Sequence, residues 1–288
     1  MKKSRAGIII VLFLGTAFVW GAIFTGTETE PFVEVIFFDV GQGDAAMVKA
    51  PQAIQILIDG GPSGAFAEKV LREMPLFDRN LELVVLTHPH KDHIVGLFEV
   101  FEVFEVERVL MPNMEGEKEE KEIYDRFKKV VEEEKSEVIF AKKGQKIFFS
   151  DEIYFLVFWP PPEESNEIKV IKDTNDFSVV GKLVFNKVSF LFTGDISERV
   201  EKVLSLEGDK IKSEVLKVAH HGSKYSTSDN FLNIVRPLVA VICVGKNSYG
   251  HPTKEVLERL EKYDIKTFRT DNYGDIKIIS DGQTININ

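Results

Sequence analysis

His88-Pro89-His90-Lys91-Asp92-His93 sets three imidazoles and a carboxylate in one short window, directly after the apolar run Leu83-Val84-Val85-Leu86. Such a run reads as a buried strand, and loops at strand ends are where functional side chains are mounted. Neutral imidazole is the commonest side-chain ligand for transition metals. Alternate residues at a strand end point the same way, so His88 and His90 can converge on one metal. Asp92 and His93 then curl onto a helix start and can face a second. Two ions about 3.5–4 Å apart activate water and neutralise an anionic transition state. The remaining histidines also sit in turns after apolar runs: His220 and His221 follow Val215-Leu216-Lys217-Val218-Ala219, and His251 lies in Gly250-His251-Pro252. The chain reads as a metal enzyme.

Composition sets bounds on that reading. The chain has 288 residues, 44% hydrophobic and 28% charged, enough to bury one large or two smaller cores. Its net charge of −10 excludes a global basic field that would attract nucleic acid or anionic lipid. Much of the acid lies between Glu115 and Glu137, a solvated surface. Residues 1–5 carry three positive charges and precede an uncharged stretch, 6–26, long enough to span a bilayer with its basic flank in the cytoplasm. No small-x-small cleavage site follows, since Trp20 stands where a small residue is wanted. The expectation is a signal anchor, with a cleaved signal peptide as the alternative, then a linker, 27–32, and a catalytic domain, 33–288, outside the cytoplasm. The single cysteine, Cys243, lies in an apolar run and reads as a small buried hydrophobe.

Apolar runs bounded by Gly, Asp or Pro predict strands at Val33–Phe38, Ile54–Ile58, Leu83–Leu86, Val106–Met111, Ile153–Phe158, Phe177–Phe185, Val188–Phe192, Val215–Val218, Val239–Val244, Thr267-Phe268 and Ile276–Ile279. Helical spacing predicts amphipathic helices at Glu119–Lys135, Ser197–Leu206 with Ser197 as cap, and Thr253–Tyr263. The thrice-repeated Phe-Glu-Val between Phe98 and Val106 reads as a helix end running into a strand. After Pro160-Pro161-Pro162 a long loop reaches Asn175 and borders the site. An α/β (α+β) fold fits: two packed mixed sheets with helices on both outer faces.

The metal window resembles the signature of the metallo-β-lactamase fold, an αββα sandwich of metal-dependent hydrolases. Within it the chain is similar to the soluble domain of the ComEC competence proteins, through Phe38-Asp39-Val40-Gly41-Gln42-Gly43-Asp44-Ala45, Ile58-Asp59-Gly60-Gly61, Asn175-x-x-Ser178, Thr193-Gly194-Asp195, His220-His221-Gly222-Ser223, Tyr249-Gly250-His251-Pro252 and Arg269-Thr270-Asp271. With one apolar segment in place of a multi-span channel, it looks like a freestanding, singly anchored relative. The resemblance implies two divalent ions, Zn or Mn, and no nucleotide cofactor. Their ligands would be His88, His90, Asp92, His93, the bridging Asp195 and the last metal histidine, His220. It also implies that Asp59 orients the metal loop. One departure is plain: the superfamily's histidine between the first window and the bridging aspartate is missing, and either Asp173 or Asn175, or a water, is expected in its place. Harder oxygen ligands favour Mn over Zn.

Other candidates keep two readings. Asp39 and Asp44 contact the site or build a tight turn. His221 touches substrate, supports ligands or is only a neighbour in the loop; Ser178 touches substrate or supports ligands. Ser223 binds phosphate or caps a turn. His251 protonates a leaving group or caps a turn. Lys224 and Lys246 lend positive charge to the mouth or do nothing specific. Asp92, His221 and His251 are assigned to catalysis. The functional expectation is a phosphodiesterase or nuclease, its substrate DNA and its uptake channel a separate partner. The alternatives are hydrolysis of another envelope phosphoester or a β-lactam, and a non-catalytic anchored binding module.

Overall fold

The computed structural model describes residues 32–114 and 118–287. The segment read as an anchor lies outside the described residues, among which no helix is long and apolar enough to cross a membrane. The first half of the chain runs β1 (Val33–Phe37), β2 (Ala45–Ala50), β3 (Ile54–Gly60), α1 (Ala65–Glu73), β4 (Asn80–Leu81), β5 (Leu83–Val85), α2 (Lys91–Val103), β6 (Glu105–Val106), β7 (Arg108–Met111), α3 (Lys118–Glu133) and β8 (Glu137–Phe140). The second runs β9 (Lys146–Phe148), β10 (Ile153–Trp159), β11 (Val180–Phe185), β12 (Val188–Phe192), α4 (Glu198–Leu204), β13 (Val215–Lys217), α5 (Asp229–Val235), β14 (Val239–Ile242), α6 (Lys254–Lys262), β15 (Lys266–Arg269), α7 (Thr270–Tyr273), β16 (Ile276–Ser280) and β17 (Ile285–Ile287).

Fifteen of these strands form two large sheets, ordered β17-β16-β1-β2-β3-β5-β7-β8 and β15-β14-β13-β12-β11-β10-β9, while β4 and β6 pair separately. Each large sheet is mixed. The first is antiparallel from β17 to β3 and parallel from β3 to β8. The second is antiparallel from β9 to β12 and parallel from β12 to β15. Strand side chains alternate between faces, and the alternation sorts the core into layers. Val35, Phe37, Ile56, Ile58, Phe155, Phe190 and Val241 pack between the sheets. Ile36, Leu57 and Val84 pack outward with Phe66, Val70, Ile94, Leu97 and Phe127 from α1, α2 and α3. Leu191, Leu216 and Ala240 pack outward with Val200, Leu232 and Val256 from α4, α5 and α6. The result is the αββα sandwich.

In parallel segments, ligand sites gather beyond the carboxyl ends of the strands. Here β3 ends beside Asp59, β5 leads into Thr87 and His88, β12 into Asp195, and β13 into His220 and His221. The strands that the apolar runs predicted are therefore those that carry the site. Some boundaries differ. Asn175–Phe177 is a short 3-10 turn, so the strand expected from Phe177 starts at Val180. Ser197 precedes α4 without capping it; its hydroxyl donates to Asp176 Oδ1 at 2.5 Å. Helices α1, α5 and α7 and strands β2, β4, β8, β9 and β17 lie outside the predicted elements, although α1 has a clear amphipathic period.

Candidate metal centre

Asp59 anchors the loop that follows β5. Fully buried and in the left-handed region at φ +57°, it accepts hydrogen bonds from the Thr87 N–H at 2.8 Å and the Thr87 hydroxyl at 2.7 Å. It also lies 2.8 Å from His93 Nδ1. Burial outweighs the pull of His93 and pushes the Asp59 carboxyl upward from its ordinary value. This bond fixes which ring nitrogen of His93 is left for other work.

The same division recurs in three buried imidazoles. His88 Nδ1 lies 3.1 Å from Thr87 Oγ1 and 3.3 Å from Ser178 Oγ. His221 Nδ1 lies 2.9 Å from the Cys243 carbonyl and 3.3 Å from Asp44 Oδ1. In His88, His93 and His221 alike, Nε2 is buried with no hydrogen-bond partner. These free nitrogens meet carboxylates: His93 Nε2 and His221 Nε2 each lie 3.5 Å from Asp195 Oδ2, and His221 Nε2 lies 3.3 Å from Asp92 Oδ2. Donor atoms of His88, His93 and Asp195 lie within 4.8 Å of one another, as do those of Asp92, His93 and His221.

Behind this cluster sits an ion pair absent from the sequence reading. Lys217, the last residue of strand β13 and 4% exposed, forms a salt bridge with Asp44. Its ammonium also donates to the Gly194 carbonyl at 3.1 Å and approaches Asp195 Oδ1 at 3.7 Å. Burial opposes its charge, but Asp44 and Asp195 prevail and hold its pKa above the ordinary lysine value. The Gly41–Asp44 turn packs against the loop that follows β5. Asp44 takes an N–H bond to the Asp92 carbonyl at 3.1 Å, and its carboxylate enters the site. Gly43 allows the approach: a Cβ there would lie 2.3 Å from the Asp92 carbonyl oxygen, at φ +148°. Asp39 accepts the Gly41 N–H at 3.1 Å and acts as a turn cap.

The strand-end turn after β13 decides between neighbouring histidines. His220 and His221 both adopt left-handed backbone, φ +51° and +53°, a costly conformation for such residues. It turns His221 inward, 2% exposed, and leaves the His220 side chain 31% exposed, with Nε2 3.9 Å from Asp195 Oδ2. The ring that joins Asp92 and Asp195 is therefore that of His221, where the resemblance had put His220. His90 is displaced similarly. It precedes α2 at the rim without a side-chain capping bond, its ring 4.6 Å from that of His88 and Nε2 3.6 Å from Glu120 Oε1 on α3. Asp173 is half exposed and paired with Arg199 at 3.2 Å, away from the centre, so it does not replace the missing histidine. Asn175 keeps a buried Oδ1 without a partner. Ser178 is the residue of that segment that reaches the cluster, through His88 and through the Asp195 N–H at 3.0 Å. Buried Asp176 ties the segment down, accepting from Arg199 at 2.7 Å and from the Lys172 N–H at 3.0 Å.

At the mouth, His251 stacks edge-on against His220 at 5.6 Å, its loop pinned by Asn247, which accepts the His251 N–H at 3.0 Å. Its Nδ1 is buried without a partner, and burial with the neighbouring His220 holds its pKa below the ordinary imidazole value. Ser223 is buried and accepts the Tyr225 N–H at 3.4 Å, a turn-capping role. Lys224 and Lys246 are exposed. A cleft of about 220 Å³ lined by Pro89, His90, Lys91, Asp92, Glu120 and Ile123 opens over the window.

The electrostatics show what the centre needs. Of the carboxylates Asp44, Asp59, Asp92 and Asp195, Asp44 and Asp195 approach Lys217, the one buried lysine among the described residues. Burial and the adjoining His93 keep His88 well below its ordinary pKa, hence neutral. Burial also opposes charge on His93 and His221, but the carboxylates win, raising His93 well above its usual value and His221 to about 10. Asp195 is held well below the carboxylate range despite burial, chiefly by His221 and His93. Each unsatisfied buried polar group costs on the order of 1–3 kcal/mol, and here three imidazole nitrogens and Asp195 Oδ1 converge unsatisfied. The donor set fits divalent cations. Mixed imidazole and carboxylate donors suit zinc, manganese or iron.

Among known protein families, the one described as the metallo-beta-lactamase superfamily matches residues 39–246. The chain belongs to that superfamily. It is 29% identical over 264 residues to ComE operon protein 3 of Bacillus subtilis, covering 85% of this chain and 32% of that protein. It is 29% identical over 257 residues to recombination protein 2 of Haemophilus influenzae, covering 87% and 29%. To competence protein ComA of Neisseria gonorrhoeae it is 30% identical over 250 residues, covering 86% and 32%. The chain thus spans about a third of the length of the curated relatives it matches. Among solved structures it is similar to zinc-bound PqqB of Methylobacterium extorquens, with TM-score 0.53, 9% identity, and coverage of 82% of this chain and 97% of that one. The CmlA beta-hydroxylase also shares the fold, with TM-score 0.51, 10% identity, and coverage of 85% and 53%. Those likenesses show the fold alone, and a hydroxylase among them makes clear that the fold does not choose the reaction.

Proposed function

We propose that the chain is a metal-dependent phosphodiesterase, a nuclease acting on DNA outside the cytoplasmic membrane. The observation that carries it is the gathering of three imidazoles with partnerless Nε2 atoms, His88 and His93 beside Asp195, His93 and His221 beside Asp92. Two divalent cations bound there, zinc or manganese, would supply Lewis acidity and an activated water. His88, His93, His221, Asp92 and Asp195 would hold them. Asp59, Asp44 and Ser178 would keep those donors aimed, and His90 with Glu120 would form one wall of the entrance. His251 faces the mouth with an unshared Nδ1, placed to exchange a proton with a leaving oxygen. The DNA assignment is supported by relatives whose names speak of competence and recombination. Such a role would require a separate channel partner and the N-terminal segment as membrane anchor.

Purified protein supplied with Mn²⁺ or Zn²⁺ should cleave bis-p-nitrophenyl phosphate and DNA. His93→Ala and Asp195→Ala should each lower the rate at least about 100-fold, consistent with loss of metal-bound catalysis. Wild-type rates in both variants would refute the reading. One observation favours a second substrate class: at −10 the chain lacks the overall basic charge usual for DNA-handling proteins. Faster turnover of small envelope phosphoesters than of DNA would support that reading.

A further inference from the structure

We propose that the outer face of strands β9, β10 and β11 is a second binding site, one that holds a single nucleic-acid strand apart from the metal donors. The inference rests on the phosphodiester reading and extends it. On β10, Phe155 and Val157 point into the layer between the sheets, so Tyr154, Leu156 and Phe158 point outward. At this end a cavity of about 560 Å³ remains, lined by Lys143, Lys146, Tyr154, Phe158, Lys182 and Lys210 among others.

Two features identify its occupant. The first is charge. Lys143 and Lys210 share the Glu207 carboxylate, and Lys143 also meets Glu167. Neither Lys146 nor Lys182 forms a salt bridge among the described residues; Glu214 acts on Lys182 only at longer range. Lys182 donates instead to the carbonyls of Lys210 and Lys212, and burial lowers its pKa from the ordinary lysine value. A cationic groove in a chain of net charge −10 runs against the rest of the surface. The second feature is aromatic. The Phe148 and Tyr154 rings lie 5.6 Å apart, Phe148 is 59% exposed, and Lys146 Nζ sits 5.1 Å over the Tyr154 ring. Lysines beside exposed rings match the chemistry of a strand that offers phosphates and base faces together. A duplex hides those faces, which commits the groove to single strands. Placement agrees: Ser178, whose Oγ meets His88, is only four residues from Lys182, roughly 13 Å of extended chain.

The experiment measures binding of a fluorescein-labelled oligothymidylate of about 20 nucleotides to the full chain without added metal, by anisotropy across salt concentrations. That length exceeds the usual site size of one such groove. Lys146→Glu/Lys182→Glu should weaken binding at least about 10-fold and flatten the log K against log salt slope by about 1, as loss of one or two phosphate contacts does. Lys146→Ala/Phe148→Ala, confined to exposed side chains, should weaken it in the same direction, and it decides the matter if the charge reversal does not fold. Hydrolysis of bis-p-nitrophenyl phosphate, too small to span both sites, should be unchanged in the folded variants. Wild-type oligonucleotide affinity in the variants overturns the proposal. So does binding of anionic phosphatidylglycerol vesicles through these residues with no oligonucleotide binding, which would make the face a membrane contact. If the variants lose oligonucleotide binding while even the wild type fails to hydrolyse the small phosphodiester, the strand site stands and the catalytic reading falls.

Discussion

At the residue scale, the centre depends on a buried lysine that its own sequence context disguises. Lys217 interrupts the apolar run of β13, and a charged residue inside such a run is nearly always paired when buried. The histidines that follow it mask this signal in the sequence. Its partner Asp44 also approaches His93 Nδ1 at 3.8 Å and His221 Nδ1 at 3.3 Å, so removing the lysine leaves an uncompensated charge behind two metal donors. Losing one member of a buried pair costs about 3–5 kcal/mol. Lys217→Met should therefore lower the melting temperature by on the order of 10 °C, measured by scanning calorimetry. An unchanged melting temperature would mean that the pair is structurally idle. Asp59→Asn tests orientation: it keeps the shape but weakens the bond that aims His93 Nε2. Metal affinity should fall about 10–100-fold, read by competition with a chelating dye, with far-UV circular dichroism unchanged. The choice between His220 and His221 was not legible from residue types, because it turns on two left-handed backbone angles that no side-chain pattern encodes.

At the element scale, sequence and structure agree where burial is two-sided. β3, β5, β12 and β13 are buried along their whole lengths, and their Val, Ile, Leu and Phe runs announced them. Each ends at the site, so the scaffold of the centre was readable before its geometry. The short edge elements were not: β8 exposes or half-exposes each of its four residues, and β2 reads Ala-Ala-Met-Val-Lys-Ala, a weak strand signal. The turn between β1 and β2 must touch the metal loop closely, which is why glycine stands at Gly43. Gly43→Ala would thrust a methyl group into the Asp92 carbonyl. That variant should lose about 1–3 kcal/mol of stability by overpacking and bind metal more weakly, since Asp92 must move. Denaturant titration with and without metal separates the two effects. Wild-type values in both would show that the turn tolerates the shift.

At the scale of the whole molecule, the sandwich brings residues from both halves of the chain to one edge. Asp44, Asp59, His88 and His93 come from the first sheet and its connections, and Asp195, Lys217 and His221 from the second. Neither sheet holds the full donor set, so metal binding and the docking of the sheets are coupled. Removing metal with a chelator should lower the melting temperature, by an amount that grows with the logarithm of metal concentration over the dissociation constant. The most direct measurement is elemental analysis of the full chain after reconstitution and desalting, beside His221→Ala and His220→Ala. A binuclear centre predicts about two equivalents of divalent metal in the wild type and in His220→Ala, and about one or fewer in His221→Ala. Less than one equivalent in the wild type, or a loss confined to His220→Ala, would contradict it.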